Sequence, residues 1–259
     1  MLPKIFKPFK SNLDNLIRIG PKKDGGYIID KRVIKKTNKI ISCGLNDDWE
    51  FEKEFLKINQ KCKIIAYDHT VDKRFWVKRF KKDIISLLLF KKLRLEKILD
   101  IFKYFDYLKF FKNENKHLIK KVVNNERKKN EISINNILKN KKNLILKIDI
   151  EGDEYKILEH INKEFIKINL FIIEFHNIHK NLNKILNFIK KTKFKIIHIH
   201  GNNYGGTNKN NDPNVVEMTF INSKKFKTSK NKSNFKYPII GLDYKNLKRR
   251  HDINLKFHE

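Results

Sequence analysis

Carboxylates and imidazoles recur in this sequence at the places where an apolar run ends. In Leu144-Ile-Leu-Lys-Ile-Asp-Ile-Glu-Gly152, Asp149 and Glu151 alternate with Ile148 and Ile150, so in an extended strand both carboxylates leave on one side. Carboxylates at the end of so apolar a run cost desolvation unless a cation or hydrogen-bond donors meet them. Ile173-Glu-Phe-His176 and His198-Ile-His-Gly-Asn-Asn-Tyr204 end in the same way, with Glu174, His176 and His200. Taken singly, each histidine is a satisfied core hydrogen-bonder; taken together, an imidazole beside carboxylates suits general-base work near neutral pH. Asp149, Glu174 and His176 can instead hold a hard divalent cation such as Mg, although that donor set does not select one metal.

Two further positions suit a nucleoside. Ser42-Cys-Gly-Leu-Asn-Asp-Asp48 leaves an apolar run through Gly44, where the missing side chain allows close approach to the backbone. The helix expected after it offers free N–H groups to an anion. The next apolar run ends in Asp68, about two dozen residues after Gly44, placed to accept hydrogen bonds from a ribose diol. A turn or a helix cap is the plainer role for a lone aspartate. There is no G-x-G-x-x-G and no Walker lysine, which argues against a P-loop. Asp153 and Glu154 read as charges that complement a helix dipole.

The elements that must position these residues alternate between short apolar runs and amphipathic stretches. Strands are expected at 39–44, 63–68, 117–123, 144–149, 170–175, 194–200 and 215–221. Helices are expected at about 48–58, 152–161 and 181–191. The first, second, fourth and fifth strands are apolar without alternation, as in a parallel sheet buried on both faces. The whole reads as an α/β, doubly wound, Rossmann-like sheet whose ligands bind outside the carboxyl ends of the strands. Only the turn-rich stretch 201–214 separates the last two strands, which suits an antiparallel hairpin at the sheet edge. No linker divides the chain, so residues 1–259 are expected to form one domain, with a helical insertion at about 73–116. There Ile84, Leu87, Leu88, Leu95, Ile98, Leu99, Ile101, Phe102, Phe105, Leu108 and Phe111 recur near helical spacing. They predict helices packed on the core or on each other, with a substrate lid or a contact with anionic lipid as the alternatives.

Composition narrows the class. The formal net charge is +30, which invites an acidic or phosphorylated partner. Only eight of the 59 basic residues are arginine, however, and Lys, Asn, Ile and Phe are inflated together, as AT-rich coding would produce. A surface selected to grip phosphates uses more arginine. Cys43 and Cys62 are too few for a disulfide framework or a zinc site and read as small core residues. The N-terminal Met1-Leu-Pro-Lys-Ile-Phe-Lys7 lacks the apolar core of a signal peptide. The longest apolar run, Ile84 to Phe90, is far shorter than a membrane span. A reducing, cytoplasmic setting is the expectation.

These residues resemble the FkbM-type family of S-adenosylmethionine (SAM)-dependent O-methyltransferases, within the class I superfamily. The most specific element is Lys147-Ile-Asp-Ile-Glu-Gly-Asp-Glu154, similar to that family's K-x-D-x-E-G-x-E segment. Arg18-Ile-Gly-Pro-Lys-Lys-Asp-Gly-Gly-Tyr27, Ile173-Glu-Phe-His176 and His198-Ile-His-Gly-Asn-Asn203 support it. The resemblance implies a seven-stranded sheet with its last strand antiparallel, and SAM as the methyl donor. Gly44 would lie in the first SAM-binding loop and Asp68 would hold the ribose, with Asp149 and Glu151 also on the cofactor side. The turn Asp24, Gly25, Gly26, Tyr27 either closes the methionine end or is a plain turn. The first loop, Cys43-Gly-Leu-Asn-Asp47, is poorer in glycine than most class I enzymes carry.

The reading that follows is methyl transfer to a hydroxyl of a sugar, glycan or related small molecule, with His176 or His200 as base and Asp149 and Glu174 orienting it or holding the metal. A nucleic-acid methyltransferase is the first alternative, although Ile-Asp-Ile-Glu-Gly stands where a flipped-base enzyme carries an Asn/Asp-Pro-Pro-aromatic motif. A non-catalytic basic scaffold or membrane-surface protein on the same fold is the second.

Overall fold

A computed structural model of the chain describes the backbone of residues 1–88 and 95–258, and the side chains of these residues except 86–88 and 95–101. Eleven strands are present among them. Leu16–Ile19 (β1) and Tyr27–Asp30 (β2) form an antiparallel hairpin. Then come Lys39–Cys43 (β3), helix Glu50–Ile58 (α1), Lys63–Tyr67 (β4), and helices Lys73–Leu88 (α2) and Leu95–Phe110 (α3). Lys116–Leu118 (β5), Lys121–Val123 (β6), Glu131–Ser133 (β7), helix Ile134–Leu138 (α4) and Leu144–Ile148 (β8) follow. The chain continues through helix Leu158–Lys163 (α5), Ile168–His176 (β9), helix Leu182–Lys191 (α6), Phe194–Gly201 (β10) and Val215–Asn222 (β11).

Seven strands form one sheet in the order β10-β11-β9-β8-β3-β4-β5. β3, β4, β5, β8 and β9 pair in parallel, while β11 runs antiparallel to both β9 and β10. The expected antiparallel hairpin is therefore present, with β11 threaded inside and β10 on the rim. One expected strand divides. Residues 117–123 supply β5 to the sheet and β6 to a separate parallel pair with β7. The helix expected from Gly152 begins instead as a 3-10 turn, Glu154–Lys156, before α5.

Strand alternation distributes one chain between two cores. On β8, Leu144, Leu146 and Ile148 join the side covered by α5 and α6, whereas Ile145 joins the side covered by the β1–β2 hairpin and α1. Lys147 shares the face of Ile145, so a charged residue enters an apolar layer. Its ammonium lies 3.3 Å from Glu52 Oε1 and over the rings of Tyr27 and Phe51. Glu52 sits on α1 between the buried Phe51 and Phe55 and also accepts the Ser42 hydroxyl at 2.6 Å. Burial works against the Lys147 charge, but Glu52, Asp149 and Asp48 outweigh it and hold its pKa above the ordinary value. Cys43 and Cys62 are buried and unpaired, as their composition implied.

The insertion turns its polar aromatic face inward. Trp76, Tyr104, Tyr107 and Phe111 pack with Trp49 and His117. Phe102, Phe105 and Leu108, expected to pack, are exposed. The side chains of Leu87, Leu88, Leu95, Ile98, Leu99 and Ile101 lie outside the described residues. Among the described residues no helix is long and apolar enough to cross a membrane.

Gly44 has φ +82°, and a Cβ there would overlap the Asp149 carbonyl oxygen. What approaches this glycine is thus the neighbouring strand end, locked by the Asp149 N–H donating to the Cys43 carbonyl at 2.8 Å. Gly44→Ala is expected to lower stability by about 3 kcal/mol through combined φ strain and overlap, read from the urea midpoint. Lys147→Met alone, which leaves Glu52 buried without its cation, is expected to lose about 3–5 kcal/mol. The Lys147→Met, Glu52→Leu double variant is expected to regain most of that loss in the same unfolding assay.

Candidate active site

A cleft of about 410 Å³ opens at the carboxyl ends of β3, β4 and β8, lined by Gly44, Asp68, Lys121, Val122, Asp149 and Glu151 among others. Asp68 is 7 % exposed and fixes the first loop. Its Oδ2 accepts the Leu45 and Asn46 N–H groups at 2.9 and 2.8 Å, and its Oδ1 accepts the Thr70 N–H and hydroxyl at 2.7 and 2.6 Å. Burial would raise its pKa, but these donors prevail and keep it below the usual range. Four hydrogen bonds occupy the lone-pair sites of a carboxylate.

Beyond Asp149 the cleft meets a cluster of carboxylates around one imidazole. His176 Nε2 lies 3.4 Å from Glu151, 3.7 Å from Glu174 and 3.8 Å from Asp149, while Nδ1 lies 3.4 Å from Glu154. Burial disfavours a charge on this ring, and Glu154, Asp149 and Glu151 overcome it, so its pKa rises. Asp149 is pushed up to about 6 by burial, against the pull of His176 and Lys147. Glu174 is driven well above the carboxylate range by burial, then by Asp149 and Glu217. Asp149 Oδ1 is buried without a hydrogen-bond partner. Glu151 holds φ +53° and is followed by Gly152 at φ +102°, a left-handed pair that aims the Glu151 carboxylate back over the strand end.

Glu154 is not a surface capping charge. It is fully buried and accepts the Gly152 N–H at 2.7 Å and the His176 N–H at 2.8 Å, tying the ends of β8 and β9 together. Its position in Glu151-Gly-Asp-Glu154 was visible in the sequence, but its burial was not. Lys147 was likewise passed over, although a lysine inside an unbroken apolar strand signals a buried partner. Asn202 was also missed; its amide donates to Glu174 at 2.8 Å and to Glu217 at 3.5 Å. This eases two carboxylates that face each other across the β9–β11 ladder.

Two expectations change. The three groups whose ligand atoms lie within 4.8 Å of one another are Asp149, Glu151 and His176; Glu174 turns toward Asn202, so Glu151 takes its place in the candidate cation set. His200 does not sit beside His176, because β11 runs between β9 and β10. Its Nδ1 lies 3.5 Å from Glu217 and its Nε2 3.1 Å from Asp252. Burial opposes its charge, yet Asp252 and Glu217, with Asp243 nearby, raise its pKa to about 10. That shift favours the imidazolium, which has no lone pair to take a proton. The turn Asp24, Gly25, Gly26, Tyr27 is built around Arg18, which donates to the carbonyls of Pro21 and Lys23 at 2.9 and 2.8 Å. A Cβ on Gly26 would overlap the Pro21 carbonyl, and one on Gly25 would lie 3.3 Å from the Asp48 carboxylate. The turn abuts the first loop, but none of its four residues lines the cleft.

The His200 charge has a stability consequence. A folded pKa of about 10 against an unfolded value near about 6.5 gives stabilisation that is complete below the unfolded value and lost as pH rises through the folded one. Thermal unfolding should therefore show a loss of Tm between neutral pH and pH ~10 that His200→Gln removes. That variant is expected to be about 3 kcal/mol less stable at neutral pH, because Glu217 and Asp252 lose their cation.

No curated protein matches the chain significantly. Two solved structures are similar to it at low identity and low TM-score. One is a fibrillarin/Nop5p complex, with 8 % identity over 72 % of this chain and 73 % of that one, TM-score 0.35. The other is a putative methyltransferase from Thermoplasma acidophilum, with 9 % identity over 71 % and 68 %, TM-score 0.35. The assignment rests on the family match instead. Residues 35–196, more than half of the chain, match the Methyltransferase FkbM domain, and that span carries the first loop, Asp68, the Lys147–Glu154 segment and His176. The chain belongs to the FkbM family of methyltransferases.

Proposed function

We propose that the protein is a SAM-dependent O-methyltransferase acting on a hydroxyl of a sugar, glycan or related small molecule. The observation that carries this reading is the sharing of Asp149 and Glu151 between the 410 Å³ cleft and the cluster around His176. A donor in the cleft and a base at its end would then be neighbours. Methyl transfer breaks the bond from the methyl carbon to the sulfonium sulfur and forms one to the acceptor oxygen, whose proton must leave. Alignment and proton removal are the protein's tasks.

His176 is the group placed to take that proton. In the free protein its carboxylate neighbours favour the imidazolium. A sulfonium in the cleft carries a fixed positive charge, and a like charge nearby favours the neutral ring. Donor binding thus prepares the base, and the Glu154 carboxylate, which accepts the His176 backbone N–H, holds the residue at the strand end. The same donor set fits a divalent cation: Asp149 Oδ1 lacks a partner, and Glu154 lies 3.4 Å from the far nitrogen of His176. Asp149, Glu151 and His176 Nε2 would hold such an ion, which when bound would polarise the acceptor hydroxyl.

Calorimetric titration with SAM and S-adenosylhomocysteine is the first measurement, and absence of binding at millimolar ligand would return the chain to a non-catalytic scaffold. Asp68→Ala is expected to weaken binding about tenfold. The acceptor is to be sought in a gene-deletion strain as a glycan or metabolite lighter by one methyl group. With it, His176→Ala is expected to reduce turnover about 10²–10⁴-fold while SAM affinity changes little. A rate untouched by exhaustive chelation would eliminate the cation.

A further inference from the structure

The hairpin of α2 and α3 has two faces, and only one of them is used by the fold. The inner face is anchored at several points. Asp47 in the first loop pairs with Arg79 and with Lys103, and Asp106 accepts from the Trp49 indole and the Lys53 ammonium at 3.0 Å each. Trp76, Tyr104 and Tyr107 complete the contact with Trp49. These residues account for the hairpin's attachment.

The outer face carries apolar side chains that none of the described residues covers. Phe102, Phe105 and Leu108 are 58, 60 and 46 % exposed, and their spacing of three puts them on one stripe of α3. Lys109, four residues after Phe105, stands on the same stripe and is exposed. On α2, Val77 and Phe80 are exposed, with Lys81 four residues after Val77. Lys78, Lys81, Lys82 and Lys109 make no ion pair among the described residues. Between residues 73 and 112 the sequence has thirteen Lys and Arg against four Asp and Glu.

An apolar stripe with interspersed lysines is what a helix lying in a membrane interface presents. The apolar side chains sink to the acyl boundary, and the lysines meet anionic headgroups. A nucleic acid would be met differently. Aromatic rings can stack on bases, but Val77 and Leu108 on the same stripes offer no stacking surface. A second copy of the chain would bring the same lysines against each other. We infer that the outer face of the α2–α3 hairpin docks the protein on an anionic lipid surface, with Phe102, Phe105 and Leu108 inserting and the surrounding lysines holding the headgroups.

The test is co-sedimentation of the full chain with vesicles of phosphatidylcholine alone, and with vesicles of phosphatidylcholine and phosphatidylserine in equal amounts. Binding is expected only to the mixed vesicles and is expected to weaken as salt rises. Phe102→Ser, Phe105→Ser is expected to reduce the partition coefficient at least tenfold, with an unchanged circular dichroism melt. Lys78→Glu, Lys82→Glu is expected to lower it about fivefold per residue. No partition onto the mixed vesicles, or partition indifferent to the phenylalanine pair, would overturn the proposal. So would concentration-dependent self-association that the same pair abolishes, or RNA binding that it abolishes, in a chain that ignores vesicles.

Discussion

One buried ammonium sets the conditions for the carboxyl edge of the sheet. Lys147 lies one pleat below Asp149 on the same face of β8, in a layer otherwise made of Ile145, Phe51 and Tyr27. Its aliphatic stem suits that layer, and its charge is met from α1 by Glu52. The pair does more than join a helix to a strand. Asp149, itself nearly enclosed, gains a cation beneath it that favours its ionised form. Without Lys147 the desolvation that raises Asp149 would go less opposed, and its pKa would rise further. The lysine in the K-x-D-x-E-G-x-E segment thus belongs to the site through the charge it places under the first carboxylate.

Above that lysine the balance reverses. Four carboxylates surround His176, and one of them, Glu154, is fully enclosed. Even with the ring protonated the group is an excess of acceptors, which is why burial and mutual repulsion raise Asp149 and Glu174 together. Elsewhere on the sheet the same problem is solved internally. Glu217 meets His200 and the amides of Asn202 and Asn246, and Asp243 meets His198. The contrast separates the two halves of the carboxyl edge. At β10 and β11 each buried acid has its donor, so the network holds the C-terminal segment in place. At β8 and β9 the donors fall short, and Asp149 Oδ1 is left without a hydrogen-bond partner.

Much of this was legible in the residues. Unbroken apolar runs located the buried parallel strands, and the residues at their ends located the carboxyl edge, because a strand's period of two and its burial are written directly into composition. What lay beyond reach depended on non-local pairing. That β11 threads between β9 and β10 is a choice of sheet partner, and it alone separates His200 from His176. Whether Glu154 caps a helix or bridges two strands depends on a left-handed turn at Glu151 and Gly152, which a one-dimensional pattern does not carry. The insertion misled for a related reason. Phe102, Phe105 and Leu108 have helical spacing, but so do Tyr104, Tyr107 and Phe111, and the amphipathic tyrosines, able to bond His117 and stack on tryptophan, took the inner face.

The chain's charge and the site's charge are opposite in sign, and distance decides which a ligand feels. At physiological salt, fields between exposed charges fade over roughly 8 Å, whereas a cluster enclosed by protein is screened far less. Asp149 is partly buried and so less screened than the surface lysines, whereas Glu151 is largely exposed and Lys120 and Lys121 line the same cleft. The exposed lysines of α2 and α3 lie in that screened regime. The two fields do not cancel because they act on different partners at different depths. The Asp47 contacts with Arg79 and Lys103 join the first loop to the basic insertion between them.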